Sequence, residues 1–261
     1  MNASTEILDR ILCGVDATPE SLEAVRQGAR LRQPGGSLAV VSAIDVALAA
    51  EAGWSATSLA GQLEQEAERA LAAARSKAPE ATFRTIEGRP VEVLLAQARE
   101  ARATLLAVGS HGYRRPVGIA LGSVATTLLH DAPCSVLVAR APATKAEFPS
   151  AIVVGVDGSP QSATAVAVAF ALRDRFGAGV WPVAARRGTE LDVAAVQAMA
   201  PCVLVEDRRP VDLLVEAARE SDLLVVGSRG LRGMRALGSV SERVAHRARC
   251  SVLVVRPSEP T

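Results

Sequence analysis

The chain has 261 residues with 29 basic and 28 acidic side chains, a net charge of +1, so no strong field draws it to nucleic acid or to an anionic membrane. At 49% hydrophobic and 22% charged it can bury real cores, and at 3% aromatic it offers little for bases to stack on. The polar, acid-bearing start (Met1 to Asp9) and the strand-sized apolar runs 104–109 and 222–227 argue against a signal peptide or a membrane span, so a cytoplasmic protein is expected.

In chain order, an apolar run over 9–16 ending in Asp16 predicts the first strand. Thr18 and Pro19 then supply an N-cap and a first-turn proline for a helix through about Leu31. Residues 37–44 read as a second strand. A helix over about 58–78 follows, with Leu59, Leu63, Ala67, Ala70 and Leu71 near 3.6-residue spacing. Strand 81–87, helix 90–102, strand 104–109, helix 122–131 and strand 134–139 complete the series. The nearly all-apolar strands at 104–109 and 134–139 suit parallel strands covered on both faces. The alternation predicts an α/β fold with an open parallel sheet.

The series then repeats. "ILCGVDATPES" (11–21) returns as "IVVGVDGSPQS" (152–162), and "RPVEVLLAQARE" (89–100) as "RPVDLLVEAARE" (209–220). "LLAVGSHG" (105–112) returns as "LLVVGSRG" (223–230), and "CSVLVAR" (134–140) as "CSVLVVR" (250–256). The expected layout is a first domain over 1–140, a Pro-containing linker over 141–150 and a second domain over 151–261. The offset between copies falls from 141 residues at Asp16/Asp157 to 120 at Pro90/Pro210, a loss of 21 residues in the second copy. The four cysteines (Cys13, Cys134, Cys202, Cys250) lie in or beside apolar runs without C-x-x-C spacing and are expected to be buried thiols rather than metal ligands.

The chemistry concentrates at Gly109-Ser110-His111-Gly112, which follows a strand directly, and at Gly122-Ser123, nine residues on, which opens a helix. Glycines let backbone N–H groups approach anionic oxygens, and a helix N-terminus adds unpaired donors and a positive dipole end. Both the lysine-bearing P-loop pattern and G-x-G-x-x-G are absent. If the strand order is 3-2-1-4-5, Asp16 and Gly109 end the two strands that flank the reversal, where an acid suits a ribose hydroxyl or a hydrated Mg²⁺.

Together, Gly109-x-x-Gly112, nine residues, Gly122-Ser123, the acid Asp16 and "PCSVLVAR" (133–140) resemble the universal stress protein family, and the duplication resembles its tandem-domain members. The resemblance covers nearly the whole chain. It implies two five-stranded parallel sheets of order 3-2-1-4-5, helices on both faces, and pairing of the two copies through their last strands as a pseudo-dimer. For ATP-binding members it also implies Asp16 at the adenosine end, the Ala43 backbone along the adenine, and Gly109, His111, Gly112, Gly122, Ser123 and Val124 at the phosphates.

The second copy keeps Asp157, Gly227, Arg229, Gly230, Gly238 and Ser239, but only seven residues separate Gly230 from Gly238. Pro182 argues against a regular inner strand at 179–185, and Gly88 becomes Arg208. A helix shortened to about 190–199 and the lost residues take away pocket wall, so the site is expected mainly in the first copy. His111 reads either as a phosphate ligand or as a loop residue, and Trp54 as a pocket cover or a surface residue. Arg114, Arg115, Arg229, Arg232 and Arg235 fit phosphate attraction or a generally arginine-rich surface.

The expected function is an ATP-binding stress-response or regulatory module, with Mg²⁺ on the nucleotide, a regulatory protein partner and no strong catalysis. The alternatives are a slow ATPase using Asp16 and His111 to handle water, and a nucleotide-free interaction scaffold. A nucleotidyl-transferring enzyme would need a His-containing loop after the first strand, which "DATPES" (16–21) lacks. A homodimer of tandem chains is a further expectation.

Overall fold

The computed structural model describes residues 6–45, 56–112, 121–141, 147–187, 191–228 and 240–256. Their contacts divide the chain into two compact units. One is Leu8–Cys134, and the other is Ser135–Thr261 together with Met1–Ile7.

In the first unit, β1 (Arg10–Gly14), β2 (Ser37–Ile44), β3 (Thr82–Glu87) and β4 (Leu105–Gly109) are all parallel, in the order β3-β2-β1-β4. The helices α1 (Pro19–Leu31), α2 (Ala56–Arg75), α3 (Pro90–Glu100) and α4 (Ser123–Asp131) connect and cover them. Alternating side chains of β1 show the two covered faces. The Cys13 sulfur lies 2.8 Å from where a Cβ on Gly28 of α1 would sit, whereas a Cβ on Gly14 would lie 2.9 Å from Leu94 of α3. Helices α1 and α3 therefore pack on opposite sides. In α2, Ala67, Ala70, Leu71 and Ala74 are buried, so the spacing read from the sequence is used over the second half of that helix.

The second unit contains β6 (Ala151–Gly155), β7 (Gly179–Ala185), β8 (Leu204–Glu206), β9 (Leu223–Gly227) and β10 (Ser251–Val255). They are parallel, in the order β8-β7-β6-β9-β10, which is the expected 3-2-1-4-5. Its helices are α5 (Pro160–Phe176), α6 (Val193–Met199), α7 (Pro210–Ala217) and α8 (Val240–Arg247).

Two separate five-stranded sheets is the part of the expectation that changes. The last strand of the first repeat, β5 (Ser135–Ala139), belongs to the second compact unit, where it runs antiparallel beside β10. Every residue of β5 is buried, and an apolar strand with an open row of N–H and C=O groups gains from such a partner. The pairing is fastened at both ends. The Arg140 N–H donates to Ser251 Oγ at 3.0 Å and the Arg256 N–H to Ser135 Oγ at 3.0 Å. The Arg140 guanidinium, pulled below its ordinary pKa by burial, donates to the Ala245 and Cys250 carbonyls and so closes the C-terminal end of α8.

Pro182 also behaves differently from expectation: it lies within a regular β7 that pairs with strands on both sides. The Val183 carbonyl accepts from the Val156 N–H, so position 183 faces β6 and its neighbour Pro182 faces the β8 side. There β8 begins only at Leu204, opposite Val183, and the missing proline N–H costs no ladder bond. Cys13, Cys134 and Cys250 are buried as expected, but Cys202 is exposed because it lies ahead of β8 rather than within it. No described helix is long and apolar enough to cross a membrane.

Candidate nucleotide crevices at the strand ends

In each repeat the first strand runs into a turn that also caps the next helix. Asp16 Oδ1 accepts from the Thr18 N–H at 3.1 Å and from the Thr18 hydroxyl at 2.6 Å. Thr18 in turn caps α1 by accepting from the Ser21 N–H at 3.2 Å, and the Ser21 hydroxyl accepts from the Asp16 N–H at 3.2 Å. The turn requires φ of +63° at Ala17. The second repeat builds the same device: Asp157 Oδ1 accepts from the Ser159 N–H and hydroxyl, Ser159 caps α5, and Gly158 takes φ of +82°. One carboxylate oxygen is thus committed to the turn in both copies. The exposed acids at the strand ends are partly structural.

The fourth strand of each repeat ends against that helix. A Cβ on Gly109 would lie 2.7 Å from the Ser21 nitrogen and 2.8 Å from the Glu20 carbonyl carbon, and one on Gly227 would lie 2.6 Å from the carbonyl carbon of Gln161. Only glycine allows strand and helix start to approach this closely, so backbone packing alone accounts for these two glycines. Gly112 stands over the acid: a Cβ there would be 3.1 Å from Asp16 Oδ2. Gly122 donates its N–H to the Ser110 carbonyl at 2.8 Å and opens α4 without a side-chain cap. His111 is anchored through Nδ1, 2.9 Å from the hydroxyl of buried Ser110.

The structure thus brings Asp16, Gly109, His111, Gly112 and Gly122 to one strand end of the first unit, with Ser123 and Val124 in the first turn of α4. Ala43 is half-buried near the end of β2. Residues 113–120, with Arg114 and Arg115, lie outside the described residues, as do Trp54, Arg229, Gly230, Arg232, Arg235, Gly238 and Ser239.

A cavity of about 420 Å³ opens at the corresponding place in the second unit. Gly155, Val156 and Val226 line its strand side, Val183 and Ala185 of β7 one wall, and Leu213 and Leu214 of α7 another. Asp157, Ser159, Gln161, Gly227 and Ser241 contribute polar groups. The second unit thus keeps a walled cavity although its chain is shorter between β7 and β8. The lost residues fall between β7 and β8, whereas the walls come from β7 itself and from α7. Sequence reasoning missed Val183 and Ala185, and the signal was there in the repeat register. Gly14 pairs with Val41 as Gly155 pairs with Val183, which makes Ala185 the counterpart of Ala43.

The universal stress protein family model matches residues 8–140 and 201–256, which include both strand-end glycines and all of α3, α4, α7 and α8. The chain belongs to the universal stress protein family. A universal stress protein of Mycolicibacterium smegmatis is 31% identical, over 95% of this chain and 97% of its own. The universal stress protein Rv2623 of Mycobacterium tuberculosis is 35% identical over 60% of this chain, and the match spans 62% of that relative's length. A universal stress protein from Archaeoglobus fulgidus matches 99% of each chain at 18% identity with a TM-score of 0.78, which supports the shared fold. Within this family the chain is one with two repeats, each ending its first strand in an acid-anchored turn.

Proposed function

We propose that this universal stress protein is a stress-response module that binds an adenine nucleotide at its strand-end crevices and regulates a protein partner, without strong catalysis. The observation that carries the reading is the convergence of Asp16, Gly112 and Gly122 around the uncapped start of α4. Exposed backbone donors at a helix start, with no Cβ atoms in the way at two glycines, suit phosphate oxygens. In the first repeat, Gly109, His111, Gly112, Gly122, Ser123 and Val124 would hold the phosphates, Asp16 the ribose side and the Ala43 backbone the adenine. The cavity in the second repeat, at about 420 Å³, falls in the range typical of small-molecule sites.

Mg²⁺ would arrive on the phosphates, which supply the hard oxygen ligands it prefers. In this reading Asp16 and His111 serve binding, Asp16 Oδ1 being held by Thr18 and His111 Nδ1 by Ser110.

Mass spectrometry of small molecules extracted from natively purified protein tests the reading, with thermal shift in Mg-ATP beside it. An adenine nucleotide in the extract and a rise in melting temperature are expected. Gly122→Glu, which sets a carboxylate over Ser110 and His111, removes the part of the shift due to the first crevice. No extracted nucleotide together with no shift up to millimolar Mg-ATP would overturn it.

A further inference from the structure

At the helix start packed against the strand-end glycine, the two crevices differ in charge. Glu20 and Gln161 are the second residues of α1 and α5, and each has its backbone packed against the glycine that ends the fourth strand of its repeat. A Cβ on Gly109 would touch the carbonyl carbon and Cβ of Glu20 at 2.8 and 3.0 Å, and one on Gly227 the carbonyl carbon and oxygen of Gln161 at 2.6 and 2.7 Å. Gln161 lines the second cavity. An acid at this position favours the helix dipole, and α1 has one in its first turn, whereas α5 has none. The second repeat forgoes that interaction where its chain borders a cavity.

We infer that position 161 sets the ligand charge accepted by the second crevice: with an amide where the first repeat carries Glu20, it favours the nucleoside triphosphate over the uncharged nucleoside. The inference rests on the nucleotide reading above. A glutamate at 161 would add a second carboxylate to the cavity lining that already holds Asp157, and so raise the cost of placing phosphates there. The amide leaves Asp157 as the only acid among the described residues that line the cavity. The selectivity is electrostatic, so it acts on phosphates and leaves recognition of the base and sugar unchanged.

Equilibrium dialysis on the full chain, in a Gly122→Glu background that closes the first crevice, measures ATP without Mg²⁺ against adenosine. Gly112→Val, which crowds Asp16, replaces that background if it does not fold. Gln161→Glu is expected to weaken ATP about tenfold, the scale of a unit charge roughly 8 Å from a polyphosphate in a partly solvated site. Adenosine should stay within about twofold by the same estimate. Gln161→Met, neutral and similar in length, should preserve the ATP-to-adenosine ratio. Equal weakening of ATP and adenosine by Gln161→Glu overturns the inference, as does a loss of ATP with Gln161→Met as large as with Gln161→Glu. Binding of neither ligand to the background protein overturns this inference alone, because the first crevice is closed there and the nucleotide reading is decided by the extract and thermal shift of the unsubstituted chain.

Discussion

Substituting Gly109 by alanine separates two roles that a strand-end glycine can play. A methyl group there would sit 2.7 Å from the Ser21 nitrogen and 2.8 Å from the Glu20 carbonyl carbon, both backbone atoms that cannot rotate away. Ordinary contact begins near 3.4 Å, so the end of β4 and the start of α1 must part by about 0.7 Å. The same Ser21 N–H donates to the Thr18 cap, and the Ser21 hydroxyl holds the Asp16 N–H, so the movement also loosens the turn. Overpacking of about 1–3 kcal/mol and roughly 1 kcal/mol of weakened capping add to about 3 kcal/mol. For a unit of this size that corresponds to a fall of roughly 10 °C in melting temperature. Calorimetry without ligand measures it. Gly122→Ala is the internal control, since a Cβ there meets nothing closer than 3.4 Å and the cost should stay below about 1 kcal/mol. If Gly109→Ala melts with the parent and loses only nucleotide affinity, the packing role is refuted and the glycine serves phosphate approach alone.

Ala17 and Gly158 occupy the same left-handed position in the two acid-anchored turns, at φ of +63° and +82°. Ala17→Gly should therefore stabilise by about 0.5–1 kcal/mol and Gly158→Ala destabilise by about 1 kcal/mol in urea titrations, strain being the only cause because a Cβ on Gly158 meets nothing within 3.8 Å. Matching signs for the two changes would refute this. Burial pushes the Cys13 thiol up to about 12 and the Cys250 thiol to about 11. The unfolded chain ionises these thiols near pH 9, so their contribution to stability is intact below pH 9 and is lost as the pH rises toward 11–12. A thiol reagent at neutral pH should label exposed Cys202 at once and Cys13 and Cys250 only on unfolding, and prompt modification of Cys13 would contradict the packing around it.

The order of elements was legible because local signals agree with the fold. Pro19, Pro90, Pro160 and Pro210 each open a helix at its first position, and the apolar runs at Leu105–Gly109 and Leu223–Gly227 became central strands. The partner of β5 was not legible from local pattern. "SVLVA" announces a strand covered on both faces, but an all-apolar run does not say whether its neighbour is parallel or antiparallel, and only the family resemblance pointed to the other last strand. Pro182 misled for a related reason. Its cost depends on which side its nitrogen faces and on where β8 starts, and neither is a property of the segment itself. At the site, Asp16 was legible as a strand-end acid, but its bond to Thr18 appeared only once the turn was built, since "DATP" reads equally as a capping sequence and as a ligand sequence.

The second crevice shows why counting lost residues is a poor guide to a pocket. The 21 residues fall between β7 and β8, at the open edge of the second repeat, and they shorten the helix there to Val193–Met199. Walls, however, are supplied by elements on either side of the strand-order reversal, which are the elements that the repeat preserves. Leu213 and Leu214 come from the block "RPVDLLVEAARE", and Val226 and Gly227 from "LLVVGSRG". A cavity at a strand-end reversal is a product of topology: β6 and β9 part there because the chain winds helices onto opposite faces. Edge deletions leave that parting in place. The differences that distinguish the two crevices chemically are therefore to be sought in single positions lining the parting, such as Glu20 against Gln161 and Ala17 against Gly158, and not in the length of what lies beyond it.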